Sequence, residues 1–263
     1  MIVVKMLKAS HFGPTILVTS ISLLLAHNFF SWSESCLIAL AVFSGQLAVG
    51  WHNDIEDVER DRLQNRSSKP LFDGTLTVHT LRRALYVDLV VCVFLSYVGP
   101  LGFRGGTLHL FGVACGLSYN GYFKFRKSSP LPYIFAFALL ASIAHVAAHR
   151  SLPLWLMCAG GLFGLSAHFA NVLKDLEADR LIGINGLPQI VGIQVSVYIA
   201  GTSLAAVAGF LTLHTSRFHF LILTVTFLAL ATLLLRPKKY GFQAIMLLSL
   251  VDVATLLFSN VLR

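Results

Sequence analysis

Two short acidic segments contain the residues with the clearest potential for chemistry. The first reads NDIEDVERD from Asn53 to Asp61, and the second reads NVLKDLEAD from 171 to 179. Seven residues recur at a constant offset of 118 positions. The matched pairs are Asn53 and Asn171, Asp57 and Asp175, Glu59 and Glu177, Asp61 and Asp179, Arg62 and Arg180, Leu63 and Leu181, and Pro70 and Pro188. One acidic segment alone could be a solvated loop, whereas a repeated pattern indicates a shared role.

The spacing within each motif favours a metal-bound polyanion. On a helix, which turns about 100° per residue, Asn53, Asp57 and Asp61 lie within about 80° of one another. The second motif is expected to repeat this arrangement on one helical face. Carboxylates one turn apart repel unless a cation lies between them. Oxygen ligands without His or Cys suit Mg²⁺, which commonly shares its coordination with substrate phosphates. The motifs therefore predict a diphosphate held between them through Mg²⁺.

The elements that position these motifs are predicted to be transmembrane helices. Of 263 residues, 56% are hydrophobic and 12% are charged, against about a quarter charged in a soluble domain. A bilayer requires apolar runs of about 20 residues with internally bonded backbones. The fold class is therefore all-α and polytopic, with nine spans around a central cavity. The spans fall at roughly 12–30, 35–52, 84–100, 105–122, 131–148, 152–172, 189–213, 217–235 and 241–262.

The basic residues predict the orientation of these spans. With the N-terminus in the cytoplasm, 16 of the 20 Lys and Arg residues fall in cytoplasmic loops, and only Arg104, Arg150, Arg217 and Arg263 fall outside. Cytoplasmic loops normally carry this excess. Both motifs then lie in cytoplasmic loops, as expected for an integral protein of a prokaryotic cytoplasmic membrane. The net charge of +8 is attributed to membrane sidedness and not to nucleic-acid binding.

The whole chain, 1–263, is interpreted as one domain made of two half-repeats, roughly 1–125 and 126–263. Internal repeats in membrane proteins commonly place the site at the interface between the halves. The four cysteines lie in apolar stretches without metal-binding or disulfide spacing, so they are expected to pack as small hydrophobic residues.

The first motif resembles the N-D-x-x-D-x-x-x-D signature of the UbiA superfamily of intramembrane prenyltransferases. DLEAD, from Asp175 to Asp179, is similar to the second D-x-x-x-D motif of that superfamily. The resemblance extends to the nine spans and to the intervening segment YNGYFKFRKSSPLPY, so it covers nearly the whole chain. It implies Mg²⁺-dependent transfer of a prenyl group from a prenyl diphosphate to an acceptor.

The resemblance also implies which residues form the site. The catalytic carboxylates are Asp54, Asp57, Asp61, Asp175 and Asp179, and the metal ligands are these five together with Asn53 and Asn171. The residues expected to bind the diphosphate are Asn53, Arg62, Arg66, Lys69, Tyr119, Lys124, Arg126, Asn171, Lys174 and Arg180. Lys69-Pro70 stands where the family usually has Arg-Pro, and the family's Tyr-x-x-x-Lys spacing is altered around Tyr119 and Lys124. Which cation meets which phosphate is therefore left open.

Ionisation of an allylic diphosphate and attack by an electron-rich acceptor require no protein nucleophile. Metal ions and cations would neutralise the leaving diphosphate, and the apolar bundle would exclude water. The expected acceptor is small and lipophilic or aromatic, such as a hydroxybenzoate or another quinone precursor, with a non-aromatic alcohol as the alternative. His52 and His168 are the histidines nearest the motifs. Each is either a base for the acceptor or a packing residue. Tyr133 is assigned to an interfacial aromatic belt.

Two other classes of protein are alternatives. A transporter or Mg²⁺ channel also uses repeats and intramembrane acids, but it would place acids near the middle of the bilayer. A phospholipid-forming phosphotransferase also pairs Asp motifs, but its opening D-G-x-x-A-R pattern is missing from this sequence.

Overall fold

The computed structural model describes residues 2–72 and 74–262, and all regular secondary structure in those ranges is helical. Arg263, one of the basic residues expected outside, is not among the described residues. The α-helices are α1 (Ile2–Ala9), α2 (Phe12–Ala26), α3 (Trp32–Leu63), α4 (Val78–Val98), α5 (Gly102–Gly121), α6 (Pro130–Ala147), α7 (Leu154–Val172), α8 (Leu176–Leu181), α9 (Leu187–His214), α10 (His219–Leu235) and α11 (Phe242–Ser259). Short 3₁₀ turns at Phe123–Phe125 and Ser216–Phe218 and a π-helical turn at Pro237–Gly241 connect some of them.

Each of the nine predicted spans falls on one helix, α2 to α7 or α9 to α11. Among the described residues, four helical stretches are long and apolar enough to cross a bilayer by themselves: Trp32–Leu63, Pro130–Ala147, Leu187–His214 and Pro237–Ser259. The pair α1 and α2, bent by 69°, adds a fifth. α10 has 17 residues, and α4, α5 and α7 contain polar residues that lower their hydropathy. The all-helical prediction is confirmed, whereas length and hydropathy do not by themselves establish nine crossings.

α3 carries the whole first motif on one continuous helix. A capping box starts it, in which the amide of Glu34 donates to Ser31 Oγ at 3.3 Å and the amide of Ser31 donates to Glu34 Oε2 at 3.0 Å. The helix has 32 residues, which is about 48 Å of length. It therefore continues about three turns beyond the predicted end of its span at residue 52. Those turns hold the motif, so its acids lie outside the predicted membrane segment.

The second motif does not lie on one helix, contrary to the expectation from its spacing. α7 ends one residue after Asn171, a three-residue turn follows, and α8 carries Asp179. The amide of Asp175 donates to the carbonyl three residues earlier at 3.1 Å, which tightens the chain. Leu173 and Leu176 are 0% and 1% exposed. Burial of both leucines holds the turn against the core, so Asp175 projects from a bend instead of a helical face.

Close contact between α6 and α7 fixes the positions of two side chains that line the central cavity. A Cβ at Gly164 would lie 2.4 Å from the carbonyl oxygen of Tyr133, and one at Gly160 would lie 2.7 Å from that of Phe137. Small residues permit such close helix packing in membrane proteins. Tyr133 and Phe137 both line a cavity at the centre of the bundle. The glycines of α7 set how closely α6 approaches α7, and thereby where these two side chains lie.

Gly164→Ala is expected to lower the thermal unfolding temperature of the purified protein, because its methyl group would overlap backbone that cannot move cheaply. Overpacking of this kind costs about 1–3 kcal/mol. Gly209→Ala on α9 is the matched control, since no atom lies within 4 Å of its added Cβ. The control should unfold at the wild-type temperature or slightly above it. Equal unfolding temperatures for both variants would contradict the close contact.

Candidate active site

The loop after α3 returns a lysine to the first motif. Lys69 Nζ lies 2.6 Å from Asp54 Oδ1 and 3.7 Å from Asp61 Oδ2. Asp54 and Asp61 are 3% and 6% exposed, so unpaired charges there would be costly. Burial acts to lower the pKa of Lys69, but Asp54 and Asp61 outweigh it and raise that pKa above its usual value. Lys69 is therefore a firmly charged partner for two buried carboxylates.

The middle acid of the first motif is paired with cations from two elements. Lys124 Nζ, in the 3₁₀ turn after α5, lies 2.5 Å from Asp57 Oδ1. Arg60, one turn along α3, also donates to Asp57. Burial favours the neutral acid, but Lys124 and Arg60 hold the pKa of Asp57 below its usual value. Asp57 thus stays ionised and joins α3 to the segment between α5 and α6.

One arginine connects the two motifs. The guanidinium of Arg66 lies 3.5 Å from Asp61 Oδ1 and 3.2 Å from Asp175 Oδ1. The positions that correspond to Arg66 and Lys69 in the second repeat, 118 residues later, are Ile184 and Leu187. The second motif therefore takes a cation from the loop that follows the first.

The last acid of the second motif has a different partner. Gln189 Nε2 donates to Asp179 Oδ2 at 3.1 Å, and Gln189 is 4% exposed. Burial and the neighbouring Asp175 raise the pKa of Asp179 above its usual value. Arg180 donates to the backbone carbonyl of Gln189 at the start of α9. This bond ties α8 to α9, and the binding of diphosphate by Arg180 stays a prediction.

A cavity of about 240 Å³ opens beside these carboxylates. The asparagine that begins each motif lines it, and each is held by a neighbouring side chain. Asn53 Nδ2 donates to Asn120 Oδ1 at 3.2 Å, and Asn171 Nδ2 donates to the hydroxyl of Tyr133 at 3.3 Å. Tyr119 also lines the cavity, edge to face with Tyr133 at 5.0 Å between ring centroids. These residues form the polar mouth of the cavity, and the walls beyond it are mainly apolar.

Three further residues of the predicted diphosphate set stand apart from the carboxylate cluster. Arg62 pairs with the exposed Glu59 at 3.1 Å. Arg126 is exposed and lies over the ring of Tyr122 at 3.9 Å. Lys174 is exposed at the bend between α7 and α8. Their binding role remains a prediction.

Several site residues were missed by sequence reasoning. His11, at the junction of α1 and α2, has Nε2 3.0 Å from Asn53 Oδ1 and 3.3 Å from Asp54 Oδ1. No local pattern marks it, because the chain fold alone brings it to α3. Asn120 could have been noticed beside Tyr119, and Gln189 follows the repeated Pro188. The missed residues are His11, Arg60, Asn120, Tyr133 and Gln189.

Tyr133 lines the cavity, so its assignment to an interfacial belt was wrong. The two histidines weighed as bases lie elsewhere. His52 faces Glu56 at 3.7 Å. His168 is 1% exposed, bonds to Ser129 Oγ at 3.1 Å, and packs against Tyr133 without lining the cavity. A packing role accounts for both contacts of His168.

The carboxylates fit a Mg²⁺ ion that also takes ligands from water and from the substrate's phosphates. Within residues 2–72 and 74–262, no three His, Cys, Asp or Glu side chains come together as a ready-made metal site. Instead, Lys and Arg side chains pair with the carboxylate oxygens. Arg66 already places positive charge between Asp61 and Asp175. Mg²⁺ typically takes one or two carboxylates and completes its shell with water and phosphate oxygens. The donor set fits that description.

The model of the UbiA prenyltransferase family matches residues 14–245 of the sequence, which include both motifs and the cavity-lining parts of α3, α5, α6 and α7. The chain belongs to the UbiA prenyltransferase family. The resemblance deduced from the motifs is thereby confirmed.

Individual relatives of this UbiA chain are similar to it in sequence or in fold. Digeranylgeranylglyceryl phosphate synthase of Pyrococcus horikoshii is 28% identical over 187 residues, which cover 68% of this chain and 63% of that relative. A UbiA homolog from Aeropyrum pernix K1 superposes with a TM-score of 0.75 at 19% identity, covering 94% of this chain and 98% of that one. A UbiA homolog from Archaeoglobus fulgidus bound to GPP and Mg²⁺ gives a TM-score of 0.76 at 15% identity, covering 98% of this chain and all of that one.

Arg66→Met is expected to weaken Mg²⁺-dependent binding of inorganic diphosphate by at least about tenfold, because Asp61 and Asp175 would lose the charge that holds them together. Arg83→Met is the matched control, since Arg83 is exposed on α4 and belongs to neither motif. It should change binding less than about twofold. Isothermal titration calorimetry measures both, and equal losses would contradict the bridging role of Arg66.

As the pH falls, Mg²⁺ binding should weaken at a higher pH than it would at a site built from aspartates with ordinary pKa values. Burial raises the pKa of Asp61 and of Asp179, so each is protonated at a higher pH and stops binding cations as the pH falls. The half-saturating Mg²⁺ concentration should therefore rise below neutral pH, and excess Mg²⁺ should restore binding. Asp61→Asn should bind more weakly at pH 7 but with a flatter pH profile. An unchanged profile in that variant would contradict the assignment.

Proposed function

We propose that this chain catalyses Mg²⁺-dependent transfer of a prenyl group from a prenyl diphosphate to the hydroxyl group of an alcohol. One observation carries the proposal: carboxylates from both halves, with four cations among them, lie beside an apolar cavity with a polar mouth. A prenyl diphosphate has the same division, with a polyanionic head and a hydrocarbon tail. Family membership supports this reading, as does the A. fulgidus homolog that binds GPP and Mg²⁺.

The residues divide into those that hold the head group and those that neutralise it. Mg²⁺, when bound, would supply further positive charge at the diphosphate oxygens. Its proposed ligands are Asn53, Asp54, Asp57, Asp61, Asn171, Asp175 and Asp179. As the head group binds, Arg66, Lys69 and Lys124 leave their carboxylate partners and pair with diphosphate oxygens. They then stabilise the negative charge that grows as the diphosphate departs.

The bond changes follow from this placement. The bond between the allylic carbon and the diphosphate oxygen breaks, and diphosphate keeps the electron pair. The hydroxyl oxygen of the acceptor forms the new bond to that carbon, and its proton passes to solvent. The faces and edges of Tyr119 and Tyr133 border the mouth where the allylic cation develops, and aromatic faces stabilise cations. The apolar wall behind them excludes water.

A non-aromatic alcohol, the alternative left open by the sequence, is proposed ahead of an aromatic acceptor. The P. horikoshii relative is named for a glyceryl phosphate product. Among the described residues that line the cavity there is no Lys or Arg, so an aromatic carboxylate inside it would lack a counter-ion. Lys174 is exposed at the bend of the second motif, where it could meet an acceptor phosphate. A hydroxybenzoate or other quinone precursor is the competing acceptor.

All nine predicted spans are proposed to cross the membrane, with both motifs on the cytoplasmic side and the two half-repeats forming one domain. The observed bounds of α2 to α7 and α9 to α11 support this topology. The transporter alternative has less support, because the motif acids lie at helix ends and are bound to Lys and Arg. Such cations would oppose the passage of Mg²⁺.

Asp57→Asn and Asp175→Asn are each expected to lower turnover of a prenyl diphosphate by at least about 100-fold, because each removes a charge that organises the head group. The matched controls are Glu59→Gln and Glu177→Gln. Both glutamates are exposed and pair only with surface cations among the described residues, Arg62 and Lys238. The measurement is release of diphosphate in detergent, with a glycerol-phosphate alcohol and a hydroxybenzoate as separate acceptors.

Unchanged turnover in either Asp variant, or in excess chelator, would contradict the two-motif mechanism. Transfer to hydroxybenzoate but not to the glycerol-phosphate alcohol would overturn the acceptor while preserving the mechanism. Correct folding of each variant is checked by its unfolding temperature.

A further inference from the structure

The first helix, α1, carries an exposed apolar stripe. Val3 and Val4 are 67% and 58% exposed, and Leu7, one turn further on, is partly buried. At about 100° per residue, these three side chains fall within about 100° of one another on the helix surface. Lys8 borders the stripe and is exposed. An apolar stripe beside lysines is typical of helices that lie in a membrane interface.

The opposite face of α1 is fixed to the protein. Ala9 is 0% exposed and packs in one apolar cluster with Trp51 of α3 and Leu81 of α4. The indole Nε1 of Trp51 also donates to the backbone carbonyl of Met6 at 2.8 Å. The protein therefore covers one face of α1 and leaves the stripe outside.

The bend between α1 and α2 sets the direction of α1. The two helices are bent by 69°, so the eight residues of α1, about 12 Å long, add only about 4 Å along the axis of α2. α2 has 15 residues, or about 22 Å, which is shorter than the hydrocarbon core of about 30 Å. At the end of a helix that crosses the membrane, α1 would lie nearly flat at the edge of that core. Phe12 and Ile16 of α2 are 45% and 41% exposed, so apolar exposure continues along the chain beyond α1.

The charges beside the stripe are complementary to anionic lipid. No Asp or Glu occurs in residues 1–33 or 74–87. α1 contributes Lys5 and Lys8, and the first turns of α4, which share its apolar cluster, contribute the exposed Arg82. Basic side chains at the cytoplasmic face attract anionic head groups. Lipid thus satisfies both the stripe and the charges around it.

The position of α1 reaches the candidate active site through its junction with α2. A Cβ at Gly50 would lie 2.4 Å from the carbonyl oxygen of Ser10, so the junction sits directly on α3. Ser10 and His11 both line the cavity, and His11 Nε2 lies 3.0 Å from Asn53 Oδ1. His11 has a φ of 54°, and a residue in this left-handed region persists only where its surroundings hold it. Displacement of α1 is therefore expected to release His11 from the mouth of the cavity.

We propose that α1 docks on the anionic cytoplasmic surface of the membrane, with its stripe in the lipid and its lysines at the head groups, and thereby holds Ser10 and His11 over the mouth of the cavity. This inference rests on the proposed function and topology, since α2 must cross the membrane for α1 to reach its surface. It adds a dependence of head-group binding on lipid charge. A second copy of the chain or another protein is the competing cover of the stripe.

The location of α1 is tested by fluorescence quenching in lipid nanodiscs. A polarity-sensitive fluorophore is attached through Val4→Cys, in a chain whose exposed Cys36 and Cys158 are replaced by serine. Val90→Cys on α4, where Val90 is 71% exposed, is the deep control, and Glu59→Cys is the aqueous control. Nitroxide near the lipid head group should quench the Val4 probe at least about threefold more than the Glu59 probe. Nitroxide near the end of the acyl chain should quench the Val90 probe most.

Lys8→Glu tests the role of lipid charge. In nanodiscs that contain anionic lipid, it should lower head-group quenching of the Val4 probe at least about threefold, because repulsion replaces attraction. It should also weaken Mg²⁺-dependent binding of inorganic diphosphate at least about threefold, since a smaller fraction of the protein keeps its mouth in place. Lys239→Glu is the matched control, because it makes the same change of charge on the exposed turn between α10 and α11. It should change neither quantity.

Four results would overturn the proposal. Equal quenching of the Val4 and Glu59 probes would place α1 in water or under another protein. Strongest quenching of the Val4 probe by the deep nitroxide would make α1 part of a span. Unchanged quenching in Lys8→Glu would remove the role of anionic lipid. Weaker quenching in Lys8→Glu without any loss of diphosphate binding would remove the link to the mouth.

Failure of the underlying proposals looks different. A wrong topology would let the Val90 probe escape the deep nitroxide as well. A wrong function would leave the Val4 probe quenched by lipid, while the wild type would bind no diphosphate in a manner that depends on Mg²⁺.

Discussion

The mutual repulsion of five aspartates is the constraint on which the rest of this structure depends. Asp54, Asp57 and Asp61 come from α3, while Asp175 and Asp179 come from the bend after α7. Like charges this close, partly removed from water, destabilise a fold unless cations balance them. Four side chains supply that balance: Arg60, Arg66, Lys69 and Lys124. Arg66 has the central position because, among the described residues, its ion pairs alone join an aspartate of the first motif to one of the second.

This balance explains why the surrounding elements have their shapes. α3 must continue past the membrane to present three acids on successive turns, and the loop after it must return Lys69 and Arg66. α7 must bend early, since a straight continuation would carry Asp175 along the helix and not toward Arg66. The same convergence brings Asn53 and Asn171 to the mouth of the cavity. The proposed diphosphate site and the apolar cavity therefore meet at Asn53 and Asn171, the first residue of each motif.

Sequence reasoning could find the acids and the helices because both depend on local signals. Apolar runs determine the helices, and the repeat 118 residues apart marks the chemical residues. The bend after α7 was missed because the spacing of Asn171, Asp175 and Asp179 is compatible with a helix, and only burial of Leu173 and Leu176 breaks it. His11 and Tyr133 were missed or misassigned because their roles depend on which helices become neighbours. Arg180 repeats Arg62 in sequence, yet Arg62 pairs with Glu59 whereas Arg180 bonds to the backbone of α9, so the repeat predicts the residue type better than its contacts.

The central claim is that both motifs form one site for one diphosphate. A double-mutant cycle of Asp61→Asn and Asp175→Asn, scored by Mg²⁺-dependent binding of inorganic diphosphate, tests it most directly. For a single shared site the two losses should not add, with a coupling energy above about 1 kcal/mol. Losses that add within about 0.3–0.5 kcal/mol would mean that the motifs act independently, and would contradict the shared site.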